Sequence, residues 1–151
     1  MDNEEFNADE WLRSFWPIEW EAAEPQAPYG QPQRPRNPVV DETFQMASRV
    51  MDYSEALEKR NATFADQILR SGTSVGSHTR EAQGAESLAD FQHKMKIAHK
   101  ELEETDYRLD LCHLKPHYPL DRELVAQTKR LFPLFNSILA TTRLRINEKK
   151  R

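Results

Sequence analysis

The sequence predicts an all-α protein: an antiparallel up-down-up-down four-helix bundle preceded by an extended N-terminal arm. Glycine occurs only 4 times in 151 residues, too few for the turn-rich loops of a β barrel or sandwich. Apolar side chains recur at helical spacing from about residue 41 onward. Six of the nine Pro residues come before residue 40. The chain therefore divides into an arm, residues 1–40, and a bundle, residues 41–151.

The two parts also differ in charge. Residues 1–42 contain ten acidic residues and three Arg, a charge of −7, whereas the other 109 residues contain 15 acidic and 18 basic ones, a charge of +3. The single cysteine, Cys112, excludes an internal disulfide and a Cys-based zinc cluster. No window approaches the roughly 20 apolar residues of a membrane span, and the acidic start does not have the pattern of a secretory signal. We expect a cytoplasmic protein that does not contact membranes.

The arm combines an acidic, aromatic segment with a Pro/Gln/Arg-rich spacer from Glu24 to Pro38, which we expect to be extended. Trp11, Phe15 and Ile18 recur at one face of a short helix that Pro17 limits. Aromatic side chains anchor binding hot spots and acidic ones steer towards a basic partner, so this pattern predicts a docking motif. Its target is a neighbouring subunit, the basic face of its own bundle or another protein; a disordered solubilising tail is the alternative. The residues of the predicted docking motif are Trp11, Phe15, Trp16, Ile18 and Trp20.

The first two helices are predicted from apolar spacing and from capping patterns. The first begins near Asp41 or Thr43 and ends at about Arg60. The second begins with a sequence that resembles a capping box, Thr63-x-x-Asp66, and ends at Gly84. The apolar stripes are Met46, Val50, Tyr53 and Leu57, with Phe44, Ala47 and Met51 beside them, in the first helix, and Phe64, Ile68, Gly72, Val75, Thr79 and Ala82 in the second.

The third helix has the most regular pattern of the chain. It begins with the capping box Ser87-x-x-Asp90, and its apolar residues follow steps of three and four, which is a heptad repeat. The fourth helix is predicted from about Leu120 to Asn147, with a kink or a lost backbone hydrogen bond at Pro133. The stripes are Leu88, Phe91, Met95, Ala98, Leu102, Thr105, Leu109 and Cys112 in the third helix, and Leu124, Thr128, Leu131, Phe135, Ile138 and Thr142 in the fourth.

The second and third predicted helices share an ordered series of residues with a known family. The series is Phe64, Gln67, Arg70, Ser71, Ser74, Gly76, Glu81, Ala82, Ser87, Asp90, Phe91, Lys94, Ala98, Glu101, Glu104 and Thr105. It closely resembles the four-helix-bundle proteins related to the 23S rRNA intervening-sequence-encoded protein, and it is similar to the accessory variability determinant of diversity-generating retroelements. The resemblance covers residues 43–145 and departs from the family pattern at His78, where Asn is usual. It implies a ring-shaped homopentamer with a basic surface and, from the retroelement relative, binding of nucleic acid and of a reverse transcriptase.

The polar residues of this series also have a structural explanation. They step along one stripe of the second helix, while Glu101 and Glu104 flank the heptad stripe of the third. Arg70 and Arg108 are expected to pair with these two carboxylates, because a half-buried acid needs a partner. We predict a network that fixes the helix register, and small residues that let another helix approach closely. The predicted network is Gln67, Arg70, Ser71, Ser74, His78, Glu81, Glu101, Glu104 and Arg108.

Two constellations suggest catalysis or metal binding, and the sequence argues against both. Ser74, His78 and Glu81 would form a relay on a single regular helix face, which offers no oxyanion donors. Cys112 and the two His that follow it would supply too few zinc ligands, and Pro116 breaks the helix between those two His. We therefore expect no catalytic residue, no metal site and no cofactor, in a protein that is not an enzyme.

Basic residues on the outward sides of the predicted helices suggest nucleic-acid binding. Even a charge of +3 per bundle becomes a considerable positive field when copies assemble into a ring. We predict an oligomeric scaffold that binds RNA, DNA or a nucleoprotein, with a reverse transcriptase as a candidate protein partner. One alternative is a protein-interaction adaptor that uses the arm, and another is a charged surface that only keeps the helices soluble. The candidate nucleic-acid-binding residues are Arg80, Lys94, Lys96, Lys100, Arg143, Arg145, Lys149 and Lys150.

Overall fold

The computed structural model describes residues 7–8 and 37–149, and within residues 37–149 it contains four helices. They are α1 (Pro38–Glu58), α2 (Ala62–Ala82), α3 (Leu88–His113) and α4 (Arg122–Glu148). Each helix packs against the next, and α4 packs back against α1, so the four enclose one core. Short connections make sequential neighbours antiparallel, and the predicted all-α four-helix bundle is confirmed. The docking motif predicted within residues 11–20 and the candidate Lys150 lie outside the described residues.

The apolar stripes predicted for α3 and α4 form the interior of the bundle. All eight predicted residues of the α3 stripe are buried, and no other residue of that helix is. All six predicted residues of the α4 stripe are also buried, together with Gln127. In α1 the stripe from Met46 to Leu57 is buried, but Phe44 and Met51 are 60% and 57% exposed. The outer face of α1 therefore presents two large apolar side chains to solvent.

Two helices begin at residues that the sequence interpretation missed. The prediction that α1 begins near Asp41 or Thr43 was wrong by at least three residues, because Asn37 caps the helix and Pro38 occupies its first turn. The side chain of Asn61 caps α2, accepting a hydrogen bond from the Phe64 N–H at 2.9 Å. Thr63 lies inside the first turn of α2, so its predicted capping role was wrong.

The other two helix starts show how a side chain replaces a missing backbone partner. Ser87 accepts from the Asp90 N–H at 3.1 Å, which confirms the predicted cap of α3. The Asp90 carboxylate in turn accepts from the Glu86 N–H at 3.2 Å. Asp121 caps α4 by accepting from the Leu124 N–H at 2.9 Å, and the helix begins at Arg122, two residues after the predicted start at about Leu120. Each cap satisfies a backbone donor that the helix itself cannot.

Two features inside and after the helices refine the predictions. The helix α2 ends at Ala82, and the described glycines, including Gly84, have no left-handed conformation, so Gly84 does not end the helix by the expected motif. Pro133 lies within α4, which continues to Glu148 on the far side of it. Because proline has no N–H, the carbonyl of Lys129 loses its usual donor at this position, as predicted, without ending the helix.

Small residues in α2 let α1 approach closely. A Cβ atom at Gly72 would lie 2.6 Å from Cγ1 of Val50, and one at Gly76 would lie 3.3 Å from the backbone oxygen of Thr43. Contacts under 3 Å are not tolerated without movement of the neighbour, so the glycine at position 72 is required by the packing of α1 on α2. This explains why two glycines are kept inside a helix, where each costs about 1 kcal/mol relative to Ala.

Candidate nucleic-acid interface

The antiparallel topology brings most of the candidate cations to one end of the bundle. The last turn of α2, the first turns of α3 and the last turns of α4 meet there, next to the start of α1. Lys100 lies at the middle of α3, further from this end. We define the basic end as Arg80, Lys94, Lys96, Arg143, Arg145 and Lys149.

Two of the candidate lysines have carboxylate partners. Lys94 pairs with Asp90 one turn earlier, and this hydrogen bond lowers the pKa of the Asp90 carboxyl. Lys100 Nζ lies 3.4 Å from a carboxylate oxygen of Glu104, whose pKa is lowered by Arg108 and then by Lys100. These two lysines therefore contribute less free charge to a surface than their number suggests.

Four other candidates present their charge without an ion pair to the described part of the chain. They are exposed side chains at the ends of three different helices: Arg80, Lys96, Arg143 and Lys149. Cations near the C-terminal end of a helix also interact favourably with the helix dipole, which is an ordinary structural reason for basic residues at the end of α4. The basic residues at the end of α4 therefore have a structural explanation that does not involve binding.

Arg80 contacts α1. Its Cζ atom lies 5.5 Å from the centroid of the Phe44 ring on α1, a cation–π contact. The basic end therefore combines cations from the end of α2, the start of α3 and the end of α4.

One part of the predicted polar network joins α2 to α3. The Thr105 hydroxyl oxygen lies 2.9 Å from Ser71 Oγ across the interface, and Ser71 Oγ donates to the carbonyl of Gln67 at 3.1 Å. Both hydroxyls are buried, so this pairing satisfies polar groups that have no access to water. Of the two residues, Ser71 belongs to the predicted network, whereas Thr105 was predicted as part of the apolar stripe of α3.

Five other members of the network, Arg70, His78, Glu81, Glu104 and Arg108, pair within their own helices. The Arg70 guanidinium pairs with Asp66 at 2.9 Å on the surface of α2, so the expected pairing of Arg70 with the α3 carboxylates was wrong. A pair four residues apart satisfies an exposed arginine more easily than a carboxylate on another helix does. Arg108 does pair with Glu104, at 3.0 Å. The side chains of Gln67, Ser74 and Glu101 lie outside the buried interior.

The relay considered for catalysis is not assembled. Nδ1 of His78 lies 3.4 Å from a carboxylate oxygen of Glu81, and that carboxylate also accepts from Ser77 at 3.1 Å. No hydrogen bond joins Ser74 to His78 within the described part of the chain. This arrangement contains no activated hydroxyl.

Burial defines the environment of Cys112. Its thiol pKa is raised by burial, as is the pKa of the neighbouring Tyr53 phenol, whose hydroxyl donates to the Pro119 carbonyl at 3.0 Å. A buried, protonated thiol packs as a small apolar side chain. Among residues 7–8 and 37–149, no group of three or more His, Cys, Asp or Glu side chains is placed to hold a metal ion.

The end of the bundle opposite the basic end is held together by side chains that are far apart in sequence. Arg49 forms two hydrogen bonds with the Asp121 carboxylate, at 2.8 and 3.0 Å, and this lowers the pKa of Asp121. The Asn61 amide donates to the Tyr118 hydroxyl at 3.0 Å. We define the clamped end as Arg49, Tyr53, Asn61, Tyr118 and Asp121. Sequence reasoning missed these contacts, because no spacing rule relates residues 57 to 72 positions apart.

The chain is similar to known proteins in sequence and in structure. The model of a family described as the 23S rRNA-intervening sequence protein matches residues 36–129. A crystal structure from Bacteroides thetaiotaomicron VPI-5482, described as a protein with unknown function from the S23 ribosomal protein family, is 34% identical. That match covers 67% of this chain and 97% of the other, with a TM-score of 0.62. Curated proteins gave no match. None of the described helices is long and apolar enough to cross a membrane.

Proposed function

The chain belongs to the 23S rRNA-intervening sequence protein family, and we propose that it is a non-enzymatic, oligomeric scaffold in the cytoplasm that binds nucleic acid or a nucleoprotein. The observation that carries this proposal is the basic end. Helix ends from three parts of the chain bring cations together there, and exposed cations attract phosphate without reading bases. The family description itself refers to rRNA, which favours RNA as the first ligand to test.

Oligomerisation strengthens this proposal. One bundle carries a small positive charge, which by itself would give weak attraction to a phosphate backbone. Several basic ends in one assembly can contact the same nucleic acid, so weak contacts add to a useful affinity. We propose a homopentamer, as the resemblance implies, and a reverse transcriptase as a candidate protein partner. A native mass measurement and co-purification with a genetically adjacent enzyme test these two points separately.

The central experiment measures the binding of labelled RNA and DNA to the full chain at several salt concentrations. The test variant carries Arg143→Glu and Lys149→Glu at the basic end. The control variant carries Lys59→Glu and Lys115→Glu, exposed lysines near the opposite end that undergo the same change of charge. We expect the test variant to bind about tenfold more weakly or worse, with a shallower salt dependence, because each lost phosphate contact removes about one unit of slope.

Two outcomes would contradict the proposal. Wild-type protein that shows no salt-sensitive binding to either nucleic acid would remove its basis. Equal losses in the test and control variants would show that only the overall charge matters and that the basic end has no special role.

A second candidate function is a protein-interaction adaptor, favoured by the concentration of all three Trp in an acidic segment. Large aromatic residues supply most of the energy at binding hot spots. Replacing Trp11 and Trp16 with Ala should then abolish co-purification of a specific partner and leave the native mass unchanged. Retained co-purification would count against the adaptor.

A further inference from the structure

A groove lies between α1 and α2 on the outer surface of the bundle. It has a volume of about 370 Å³, and Val40, Phe44 and Ala47 of α1 form one wall. The opposite wall is formed by α2, where Gly76 has no side chain and packs close to the backbone of Thr43 at the base of the groove. A cleft of this size lies within the usual range of binding sites for small ligands or for anchoring side chains.

Phe44 is the most unusual residue of this groove. Phe44 is 60% exposed, although Thr43 and Met46 beside it in α1 are buried. Removing an exposed phenylalanine ring from water is favourable, so a segment that packs against Phe44 gains binding energy from it. The Arg80 guanidinium lies over the same ring and leaves its charge at the edge of the groove. The groove therefore offers an apolar surface with one cation beside it.

We propose that this groove binds the acidic, aromatic segment of the same chain, residues 1–24. The segment contains eight acidic residues and one Arg, a charge of −7, together with three Trp and two Phe. Its aromatic side chains match the apolar wall of the groove, and its carboxylates match Arg80. Among the described residues that line the groove, the one acidic side chain is Glu81, which accepts from Ser77 and contacts His78 on the same helix.

The connection between the segment and the groove favours binding within one chain. The segment is joined through residues 25–36 to Asn37, and the first groove residue, Val40, lies in the first turn of α1. Twelve residues in an extended conformation span about 37 Å, which exceeds the roughly 31 Å length of a 21-residue helix. The segment can therefore reach every part of the groove. A short tether gives an effective concentration in the millimolar range, which favours its own groove over a neighbour's.

Tryptophan fluorescence of the full chain tests this proposal directly. All three Trp lie within residues 11–20 and none lies in the bundle, so the emission reports only on the segment. The test variant is Phe44→Glu, which removes the apolar wall and repels the acidic segment. Its matched control is Met51→Glu, which makes the same change at the other exposed apolar residue of α1, outside the groove lining. Far-UV circular dichroism checks that both variants keep the helical content.

We expect the wild-type protein to emit at a shorter wavelength than the unfolded chain. This wavelength should not change on dilution. Phe44→Glu should shift it fully to the value of the unfolded chain, Arg80→Glu should shift it in part, and Met51→Glu should leave it unchanged. The readout does not depend on nucleic acid, so this test and that of the proposed function can fail separately.

Each of the following results would overturn the proposal. Wild-type emission equal to that of the unfolded chain would show that the segment is solvated. Emission that stays blue in Phe44→Glu, or that shifts equally in Met51→Glu, would place the segment elsewhere. A lower native mass in Phe44→Glu with unchanged emission would assign the groove to a second copy. A shift that appears on dilution of the wild type would assign the groove to the segment of a neighbouring subunit.

Discussion

The two ends of the bundle differ in how their residues are used. At the clamped end, Arg49, Tyr53 and Asn61 hold the loop between α3 and α4 through hydrogen bonds of 2.8 to 3.0 Å. At the basic end, the Asn37 side-chain amide donates a hydrogen bond to the Gln83 side chain, which joins the start of α1 to the end of α2. Several cations extend into solvent there. One end is therefore held by polar contacts between distant residues, whereas the other end exposes several cations to solvent.

The largest effect on stability should follow from removing Asp121. Asp121→Ala loses the cap of α4 and both hydrogen bonds from Arg49, and we expect unfolding to become easier by about 2 kcal/mol. Asp121→Asn keeps a capping oxygen and should lose about half as much. Urea unfolding measures both values, provided that the slope of the unfolding free energy against urea concentration is unchanged. As a control, Asp66→Ala breaks an exposed pair on α2 and should cost about 0.5 kcal/mol or less. Equal losses for Asp66 and Asp121 would contradict the special role of the clamped end.

A smaller effect should follow from removing one hydroxyl group at the same end. Tyr53→Phe keeps the buried ring but leaves the Pro119 carbonyl without its donor, and should cost about 1 kcal/mol. The matched control is Tyr107→Phe, because that ring is 65% exposed. Its unfolding midpoint should equal that of the wild type. A Tyr53→Phe variant as stable as the wild type would show that water replaces the tyrosine hydroxyl as the donor to the Pro119 carbonyl.

The Arg49–Asp121 pair also makes a prediction about pH. The folded-state pKa of Asp121 is lowered by Arg49, so the pair stabilises the protein above the unfolded pKa of about 3.9. This stability is lost as the pH falls through the lowered folded pKa. Arg49→Leu should therefore be less stable than the wild type at pH 7, and the difference should shrink below pH 4. Urea midpoints of both proteins at several pH values measure it, and a constant difference would exclude the charge of Asp121 as the cause.

The smallest effect on stability is expected at the basic end. Arg143→Ala combined with Lys149→Ala removes two exposed charges and should change the free energy of unfolding by no more than about 0.5 kcal/mol. The same variant should weaken nucleic-acid binding. A variant that unfolds easily would show that these residues stabilise the end of α4, and the contrast between the two ends would disappear.

Much of the fold was predictable because its determinants are local. The heptad stripe of α3 needs only steps of three and four residues, and the cap formed by Ser87 needs only its neighbours. The helix starts at Asn37 and Asn61 carried the same kind of signal, but patterns that began with Asp41 and Thr63 competed with it. The candidate site was less predictable. The pairing of Arg70 with Asp66 has a local spacing of four residues that the sequence interpretation missed, whereas the contact of Arg80 with Phe44 depends on how α1 and α2 pack.

The sequence by itself determined four amphipathic helices, their interior stripes and the division into an acidic arm and a basic bundle, because periodicity and charge depend on order along the chain alone. Only the tertiary structure decided which side chains meet across distances of tens of residues. It joined Ser71 to Thr105 and Arg49 to Asp121, and it left Phe44 exposed beside a groove. It also gathered cations from three helices at one end of the bundle. These outcomes depend on how helices pack and in which direction they run, which no local pattern specifies.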